Sequence, residues 1–476
     1  MKLIKLAKFF AMSRKLQVGQ KLRLRQDFLK RIGLIAKKLD KVKLRLFVPR
    51  KVEPRPIYSN STWGQMLINP RVKDPADKKG GVLFRRRFRI PYPMFEQIVQ
   101  LVRKKKWFSE KPDVTGRVGA QLELKILGVL RVLGRGYCFD GIEELSFISA
   151  EVNRIFFHKF CTIFSLHLWD KFCSPPKTDA EIERTMGIYK RVGLPGAIGS
   201  TDCVHIRWER CPAGDRFHHK GKEGFTTLSY ELTCDHTSKI IAVTKGHPGA
   251  RNDKTIVRFD GFVSSIHSGE LYKDVKLKLK DLKGVEYEEK GAYLIVDGGY
   301  HKWRCLQCPL KHSAIPRESL WSEWVETVRK DVECVFRVLK GRFRCLKLPI
   351  YYHDKKCIDD MFFTCCILHN MLLKNDGLDK RWENGVNYAG VDGNHSDEDM
   401  QIFRQHLSRV RNLVPTTDFT SQGTAAIQDR YDICHGENFE EYESSYTVLQ
   451  KKLINNFSWQ YAHNEIQWLK KKRNSK

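Results

Sequence analysis

The sequence contains no long uninterrupted run of apolar residues. None of its apolar stretches approaches the roughly 20 residues that a helix needs to cross a bilayer, so we expect no membrane-spanning segment. The first residues also lack the apolar centre of a secretory signal. The 14 cysteines follow no regular spacing. We therefore expect reduced thiols, as in a cytosolic or nuclear protein, rather than a disulfide framework.

Acidic residues are few relative to basic ones. The chain has 85 Lys and Arg against 55 Asp and Glu, which gives a formal net charge of +30 over 476 residues. A balance this basic favours a polyanionic partner, most simply nucleic acid. Hydrophobic residues make up 41% of the chain and aromatic residues 11%, a composition that indicates a folded protein rather than a solvated tail.

The shortage of acids is greatest in the first 50 residues, where 16 Lys and Arg accompany only Asp27 and Asp40. Three interpretations stay open: an arm that contacts nucleic acid and directs nuclear import, a mitochondrial presequence, or a leader under little selection. The first is favoured because the basic character continues along the chain, and it predicts nuclear localisation. Residues 1–81 are accordingly predicted to be a basic arm and a linker.

A second CxxC motif is also absent. The single CxxC motif consists of Cys305 and Cys308, and His312 follows close by. A structural zinc site needs about four ligands, usually supplied by two such pairs. Two ordinary thiols are therefore the favoured interpretation, and a zinc site is the less favoured one.

Residues 82–175 carry the apolar periodicity of helices and are predicted to form an all-α domain. Within it, a helix over residues 142–147, a turn at residues 148–149 and a helix over residues 150–164 have the spacing of a helix-turn-helix. DNA contact and a plain helical hairpin are equally favoured. Arg154 and Lys159 are the candidate DNA contacts, on a helix with few polar side chains that reach bases.

Residues 190–375 change to a β-rich pattern and are predicted to form a ribonuclease-H-like α/β domain with a mixed sheet flanked by helices. Three strands are predicted in AIGSTDCVHIRW, FTTLSYELTCDHT and KIIAVTKGHPG, and a fourth, buried strand in AYLIVDGGY. A charged insertion is predicted near residues 266–290. A helix within residues 326–347 follows, and Gly341 lies where it could end. A further apolar helix is predicted behind it. Residues 376–476 are predicted to be partly disordered.

Three acids are predicted to converge at one edge of this sheet. Asp202 lies within the first strand, and Asp297 ends the fourth strand before two glycines, at the carboxyl edge where α/β proteins bind ligands. Another 35 residues precede Glu333, enough for a helix to return to that edge. Clustered carboxylates are costly unless a cation neutralises them, and hard oxygen ligands select Mg²⁺ or Mn²⁺. We therefore predict that these acids are catalytic and bind the metal.

Other polar residues near this edge are open to two interpretations. Asp253 is expected to cap the following helix, with assistance to a metal ion as the alternative. Asp235 is expected to be a turn residue. His205 is equally suited to contact a phosphate or a neighbouring side chain. The predicted DNA-binding set comprises Arg337, Lys340, Arg342, Arg344 and His205, with Arg154 and Lys159 of the helix-turn-helix.

The blocks that carry these acids resemble the DDE endonuclease of PIF/Harbinger transposons and its domesticated nuclease relatives. STDCVHI is similar to that family's first-aspartate strand, VDGGYH to its second-aspartate block, and VECVFRVLKGRFRCL to its glutamate helix. TCDHTSKIIAVTKGHPGARND and CCILHN are similar to further blocks in the same order. The resemblance covers residues 84–373 approximately. Cys203 and Val204 replace the usual Gly-Thr after the first acid, which alters local shape without removing a ligand.

This resemblance implies a function and its partners. The implied enzyme is a Mg²⁺- or Mn²⁺-dependent transposase that cuts and joins DNA at transposon ends by a two-metal DDE mechanism. The alternative is a domesticated protein that binds DNA or acts as a scaffold without turnover, and an RNA-cutting relative of ribonuclease H is less favoured. A separate Myb-like DNA-binding partner and a homo-oligomer are also implied.

Overall fold

The helices before the sheet follow the apolar periodicity of the sequence. The computed structural model describes residue 30 and residues 54–112, 116–311, 313–380 and 442–467. Almost all of the basic first 50 residues, the acidic stretch 392–399 and the Lys-rich end at 470–476 therefore lie outside the described residues. Seven α-helices precede the first strand in the described part: α1 Thr62–Ile68, α2 Gly81–Phe88, α3 Tyr92–Lys104, α4 Leu122–Arg135, α5 Phe139–Ser146, α6 Ala150–Phe172 and α7 Asp179–Arg191.

The predicted helix pair at residues 142–164 forms as α5 and α6. Helix α5 ends where Phe147 adopts a left-handed conformation with a φ of 58°. Helix α6 continues to Phe172, well past the predicted end at residue 164, because buried Leu168 continues the apolar stripe of Phe160 and Phe164. That stripe packs against the helix that follows the glutamate helix, described below. The DNA-binding role of this pair stays a prediction.

The chain then alternates between short strands and helices, which confirms the predicted α/β class. The strands are β1 Ala197–Arg207, β2 Thr227–Cys234, β3 Ile240–Val243, β4 His247–Pro248, β5 Lys276–Lys280, β6 Glu286–Lys290, β7 Tyr293–Ile295 and β8 Leu306–Gln307. The remaining helices are α8 Arg216–His219, α9 Asp253–Val257, α10 Gly261–His267, α11 Pro316–Arg342, α12 Lys355–Asn375 and α13 Ser444–Ala462.

The main sheet has the order β3-β2-β1-β7-β8, with β4 also paired to β2. Strands β1, β2 and β3 are antiparallel neighbours, whereas β7 and β8 run parallel to β1. The predicted mixed sheet flanked by helices is thus confirmed. Strand β7 illustrates why both faces are covered: Tyr293 and Ile295 pack against α7, α11 and α13, while Leu294 faces the layer of α9 and α10.

A second hydrophobic layer joins α12 to the sheet. The Tyr230 ring of β2 stacks on Phe362 of α12 with ring centroids 4.1 Å apart. Helix α12 contacts α6 in turn, so α6, α12 and β2 share one core. The predicted boundary between a helical domain at 82–175 and a catalytic domain at 190–375 stays a prediction.

Part of the predicted charged insertion near residues 266–290 is a β-hairpin. Strands β5 and β6 form a separate two-stranded sheet, in which Leu277 and Leu279 point inward while Lys276 and Lys278 face glutamates on the partner strand. Helix α13 covers the apolar side of this hairpin. This helix lies within the region predicted to be partly disordered, and it was not predicted from the sequence.

Helix α11 begins ten residues before the predicted start at 326 and ends at Arg342, next to Gly341, where the sequence predicts that the helix could end. Pro316 occupies its first turn, where a proline costs no hydrogen bond, and the buried series Trp321, Val325 and Val328 extends the apolar stripe toward the N-terminus. The chain leaves the helix at Phe343, and a short 3₁₀ turn, Arg344–Leu346, follows. The helix therefore carries Glu333 and Lys340 but not Arg344.

Candidate active site

Asp202 and Asp297 come together because β1 and β7 are parallel neighbours. The register pairs Ser200 with Ile295, so each aspartate lies two residues beyond this pair, at the carboxyl end of β7 and beside it on β1, which continues to Arg207. After β7 the chain turns through two glycines, and Asp297 Oδ1 accepts a hydrogen bond of 2.7 Å from the backbone N–H of Gly299. The turn therefore holds one oxygen of Asp297.

Asp253 is the third member of this cluster. One carboxylate oxygen from each of Asp202, Asp253 and Asp297 lies within 4.8 Å of the others, and no other group of three potential metal ligands occurs in the described part of the chain. The expectation that Asp253 caps α9 is wrong, because Asn252 is the N-cap residue and its Oδ1 accepts from Thr255 N at 2.8 Å. A set of three carboxylates suits a hard divalent cation.

Burial and mutual repulsion shape the charges in this cluster. The pKa of Asp202 is raised to about 7, chiefly by burial; Arg329 opposes this rise, and the nearby Asp253 and Asp297 add to it. Burial, followed by repulsion from Asp297, also raises the pKa of Asp253. Both shifts show that negative charge is unfavourable here without a cation.

Glu333 reaches this cluster only through an intermediate side chain. Arg329 Nη2 donates to Glu333 Oε1 at 3.0 Å, and Arg329 Nη1 donates to Asp202 Oδ2 at 3.0 Å. Glu333 is not among the acids whose oxygens lie within 4.8 Å of one another. The structure thus gathers Asp202 and Asp297 as expected, adds Asp253, and links Glu333 to Asp202 by one guanidinium.

The predicted DNA-binding cations divide into exposed and interior groups. Arg337 and Arg344 are exposed. Lys340 is half-buried and its Nζ donates to the backbone carbonyl oxygen of His205 at 2.8 Å, which ties α11 to β1. Arg342 Nη1 lies 3.1 Å from His369 Nδ1 on α12. Lys340 and Arg342 therefore already have partners within the fold.

His205 contacts a neighbouring side chain, which is one of the two interpretations given for it. Its Nδ1 lies 3.0 Å from Thr227 Oγ1 on β2, and burial lowers its pKa to about 4. The imidazole is consequently neutral near pH 7. On α6, Arg154 and Lys159 are both exposed, and Arg154 pairs with Glu151 at 2.7 Å.

Two acids outside the cluster have distinct surroundings. Asp235 is the turn residue that was predicted, because its Oδ1 accepts from the backbone N–H groups of Thr237 and Lys239. Glu231 was missed: it lies fully buried on β2, directly opposite Cys203 of β1. Burial raises its pKa well above the usual range. An acid that is the only charged residue of the predicted strand segment SYELTC was the available sequence signal.

The CxxC cysteines lie on either side of β8. Cys305 and Cys308 are both buried, and burial raises the pKa of each thiol. The Cys308 carbonyl oxygen accepts from Gln450 Nε2 of α13 at 2.9 Å. His312 lies outside the described residues, so the choice between thiols and a zinc site stays a prediction.

Comparison with known proteins finds similarity to one family. The family described as "Plant transposon protein" matches residues 170–380, which include the three clustered aspartates and Glu333. The human protein named "Putative nuclease HARBI1" is 24% identical over 213 residues, 44% of this chain and 55% of that protein. The Arabidopsis thaliana "Protein ALP1-like" is 24% identical over 334 residues, 67% of this chain and 79% of that protein. No solved structure matches the chain.

These matches are to a family of plant transposon proteins and to proteins that include named nucleases. The chain is similar to Harbinger-derived transposase-like nucleases over these residues, in agreement with the resemblance of the sequence blocks. The chain spans little more than half of the human relative. None of the described helices is long and apolar enough to traverse a membrane.

Proposed function

We propose that this protein is a divalent-metal-dependent DNA endonuclease and strand transferase that acts at transposon ends. The observation that carries the proposal is the cluster of Asp202, Asp253 and Asp297 at the carboxyl edge of the sheet, in a chain of net charge +30. The positive charge suits the binding of a nucleic-acid backbone, and the carboxylate cluster suits a metal ion that promotes phosphodiester chemistry. The family relationship supports a DNA substrate.

The sheet supports the ribonuclease-H-like assignment that belongs to this proposal. Three antiparallel strands, β1 to β3, are followed on the other side of β1 by two parallel strands. Helix α11 then returns to the strand that bears Asp202, where Arg329 links the two elements. We assign the catalytic domain to residues 190–375 on this basis, and we retain 82–175 as the helical domain with its helix-turn-helix.

The donor set fits Mg²⁺ or Mn²⁺. Asp202, Asp253 and Asp297 would hold the cation, because each offers an oxygen within the same small volume. When bound, such ions activate a water or a 3′-hydroxyl and stabilise the leaving oxygen. Glu333 is proposed as a further ligand, close enough to share Arg329 with Asp202.

The surface cations would hold the DNA backbone. Arg337 and Arg344 are the strongest candidates because both are exposed near the end of α11. Arg154 and Lys159 extend the proposal to α6, where both are exposed. Lys340, Arg342 and His205 are less available, since each has a partner within the fold.

Cleavage of DNA with purified full-length protein tests this proposal. A plasmid that carries the genomic DNA flanking the gene should be cut with Mg²⁺ or Mn²⁺, and Asp297→Asn should abolish cutting while DNA affinity stays within about twofold. DNA binding with a steep salt dependence but no cutting in either metal would favour the domesticated, non-catalytic alternative. Cutting of RNA–DNA hybrids alone would favour a ribonuclease.

The cellular setting belongs to the same proposal. A DNA substrate and the basic leader support nuclear localisation. A Myb-like accessory protein would supply base recognition, which the few polar side chains on α6 leave unexplained. A homo-oligomer would bring two transposon ends together, and sedimentation of the protein with and without end DNA tests that part.

A further inference from the structure

One guanidinium is shared by three acids beside the aspartate cluster. Arg329 donates from Nη1 to Asp202 at 3.0 Å, and from Nη2 to Glu326 at 2.6 Å and to Glu333 at 3.0 Å. Its Nε donates to Glu326 as well, at 3.2 Å. Neither Arg329 nor Glu326 was predicted from the sequence to have a role. These contacts place the positive charge of Arg329 between Asp202 and Glu333, two of the proposed metal ligands.

The position of Arg329 is specific to arginine. Only 9% of the side chain is exposed, and a charge this buried is costly unless it is paired and hydrogen-bonded. The planar fork carries five N–H donors in fixed directions, which lets one group reach acids on opposite sides. A lysine ammonium, as a compact point charge, cannot reproduce this set of contacts.

The helix explains only part of this arrangement. Glu326, Arg329 and Glu333 follow one another at three- and four-residue steps, so all three lie on one face of α11. Asp202 comes from β1 and also belongs to the aspartate cluster. Arg329 therefore neutralises the same carboxylate that a divalent cation would need.

We propose that Arg329 is a positioning residue that a divalent cation displaces from Asp202. Without the cation it neutralises Asp202 and holds Glu333 beside the cluster. When a cation takes Asp202, Arg329 retains Glu326, its partner through two donor nitrogens. This inference rests on the proposed metal site, and it predicts competition between the guanidinium and the metal.

If Arg329 had only a structural role, its removal would change metal affinity in the opposite direction. If Arg329 only braces the ligands, its removal loosens Asp202 and weakens binding. If it competes, its removal frees a ligand oxygen and eliminates a nearby positive charge, and binding tightens. The sign of the change in affinity therefore separates the two roles.

Titration of the full-length protein with Mn²⁺, in a calorimeter, measures this sign. Arg329→Gln should bind Mn²⁺ about tenfold more tightly than the wild type. Its metal-free melting temperature should fall, because three acids lose their cation, and Mn²⁺ should raise that temperature more than in the wild type. Lys330→Gln is the matched control, since it removes one exposed positive charge from the next position of α11 and should leave Mn²⁺ affinity unchanged.

Arg329→Lys decides the matter if the glutamine variant does not fold. It keeps the charge but cannot span Asp202 and Glu333, so it should also bind Mn²⁺ more tightly. Equal or weaker Mn²⁺ binding by the variants that fold would overturn the inference, and DNA cutting by the wild type would then leave the proposed function standing. Tighter Mn²⁺ binding by the variants, without any DNA cutting by the wild type, would overturn the proposed nuclease function and leave the inference about Arg329 standing. Absence of Mn²⁺ binding in every protein would overturn both.

Discussion

Asp202 and Asp297, 95 positions apart in the sequence, each lie two residues beyond the paired residues Ser200 and Ile295 of the parallel strands β1 and β7. Parallel strands end at the same edge of a sheet, so this register converts sequence distance into proximity. Asp253 joins them at the start of α9. The resulting group of acids is the centre of the proposed activity.

Asp253 and Asn252 are adjacent but should fail in different ways when replaced. Asp253→Asn should abolish Mn²⁺ binding and DNA cutting with little change in stability, because it removes a clustered carboxylate. Asn252→Ala should lower the free energy of unfolding by about 1 kcal/mol, since it removes the helix cap. Chemical denaturation and Mn²⁺ titration of both variants measure the contrast. Loss of metal binding in the Asn252 variant alone would reverse the assignment.

Proton and metal should compete for Asp202. Its folded-state pKa of about 7 is raised from 3.8, so the folded metal-free protein binds a proton that the unfolded chain releases between these values. Stability from this group is therefore complete below the unfolded pKa and is lost as pH rises toward 7. Mn²⁺ should then stabilise the protein more at pH 8 than at pH 6.

Thermal unfolding at the two pH values, with and without Mn²⁺, measures this dependence. Asp202→Asn is the control, because an amide does not titrate. The account would be contradicted if Mn²⁺ stabilised the wild type more at pH 6 than at pH 8.

The exposed cations of the α11 end should dominate DNA affinity. Arg337→Glu and Arg344→Glu should each weaken DNA binding. Each should also make the negative slope of log affinity against log salt less steep by about 1, the effect of losing one phosphate contact. Fluorescence anisotropy with duplex DNA at several salt concentrations measures both quantities. Unchanged affinity and slope in both variants would make these arginines ordinary surface residues.

Asn370 should be a stability residue at the edge of the main sheet. Its Oδ1 accepts from the N–H of Ile240 at 3.0 Å and its Nδ2 donates to the carbonyl of Ile240 at 2.7 Å. Asn370→Ala leaves both buried backbone groups unpaired and should cost about 2–4 kcal/mol. Asn375→Ala, on the exposed end of the same helix, should change stability by less than about 0.5 kcal/mol. Equal losses in both variants would contradict this role.

The positions of helices and strands could be predicted from the sequence more successfully than the contacts between them. Alternation and buried apolar runs located β1, β2, β3 and β7, and helical periodicity located α3, α4 and α11. Helix ends shifted where a proline or a continuing apolar stripe determined them. Helix α13 was not predicted, because its partner, the β5–β6 hairpin, lies far away in sequence.

The candidate site was predictable only in part, for a similar reason. Asp202 and Asp297 could be placed by strand order, but Asp253 looked like a helix cap because Asn252 and Asp253 both favour that position. Arg329 was hidden because its decisive contact, with Asp202, joins α11 to β1. Lys340 looked available for DNA because a sequence does not reveal its bond to the His205 carbonyl.

The most direct test is DNA cutting by full-length wild type and Asp297→Asn, side by side, on a plasmid that carries the gene's flanking genomic DNA. With Mn²⁺, the wild type should cut the plasmid and the variant should not, while both bind it equally. Equal cutting by the two proteins would contradict the central claim that the clustered aspartates carry the chemistry.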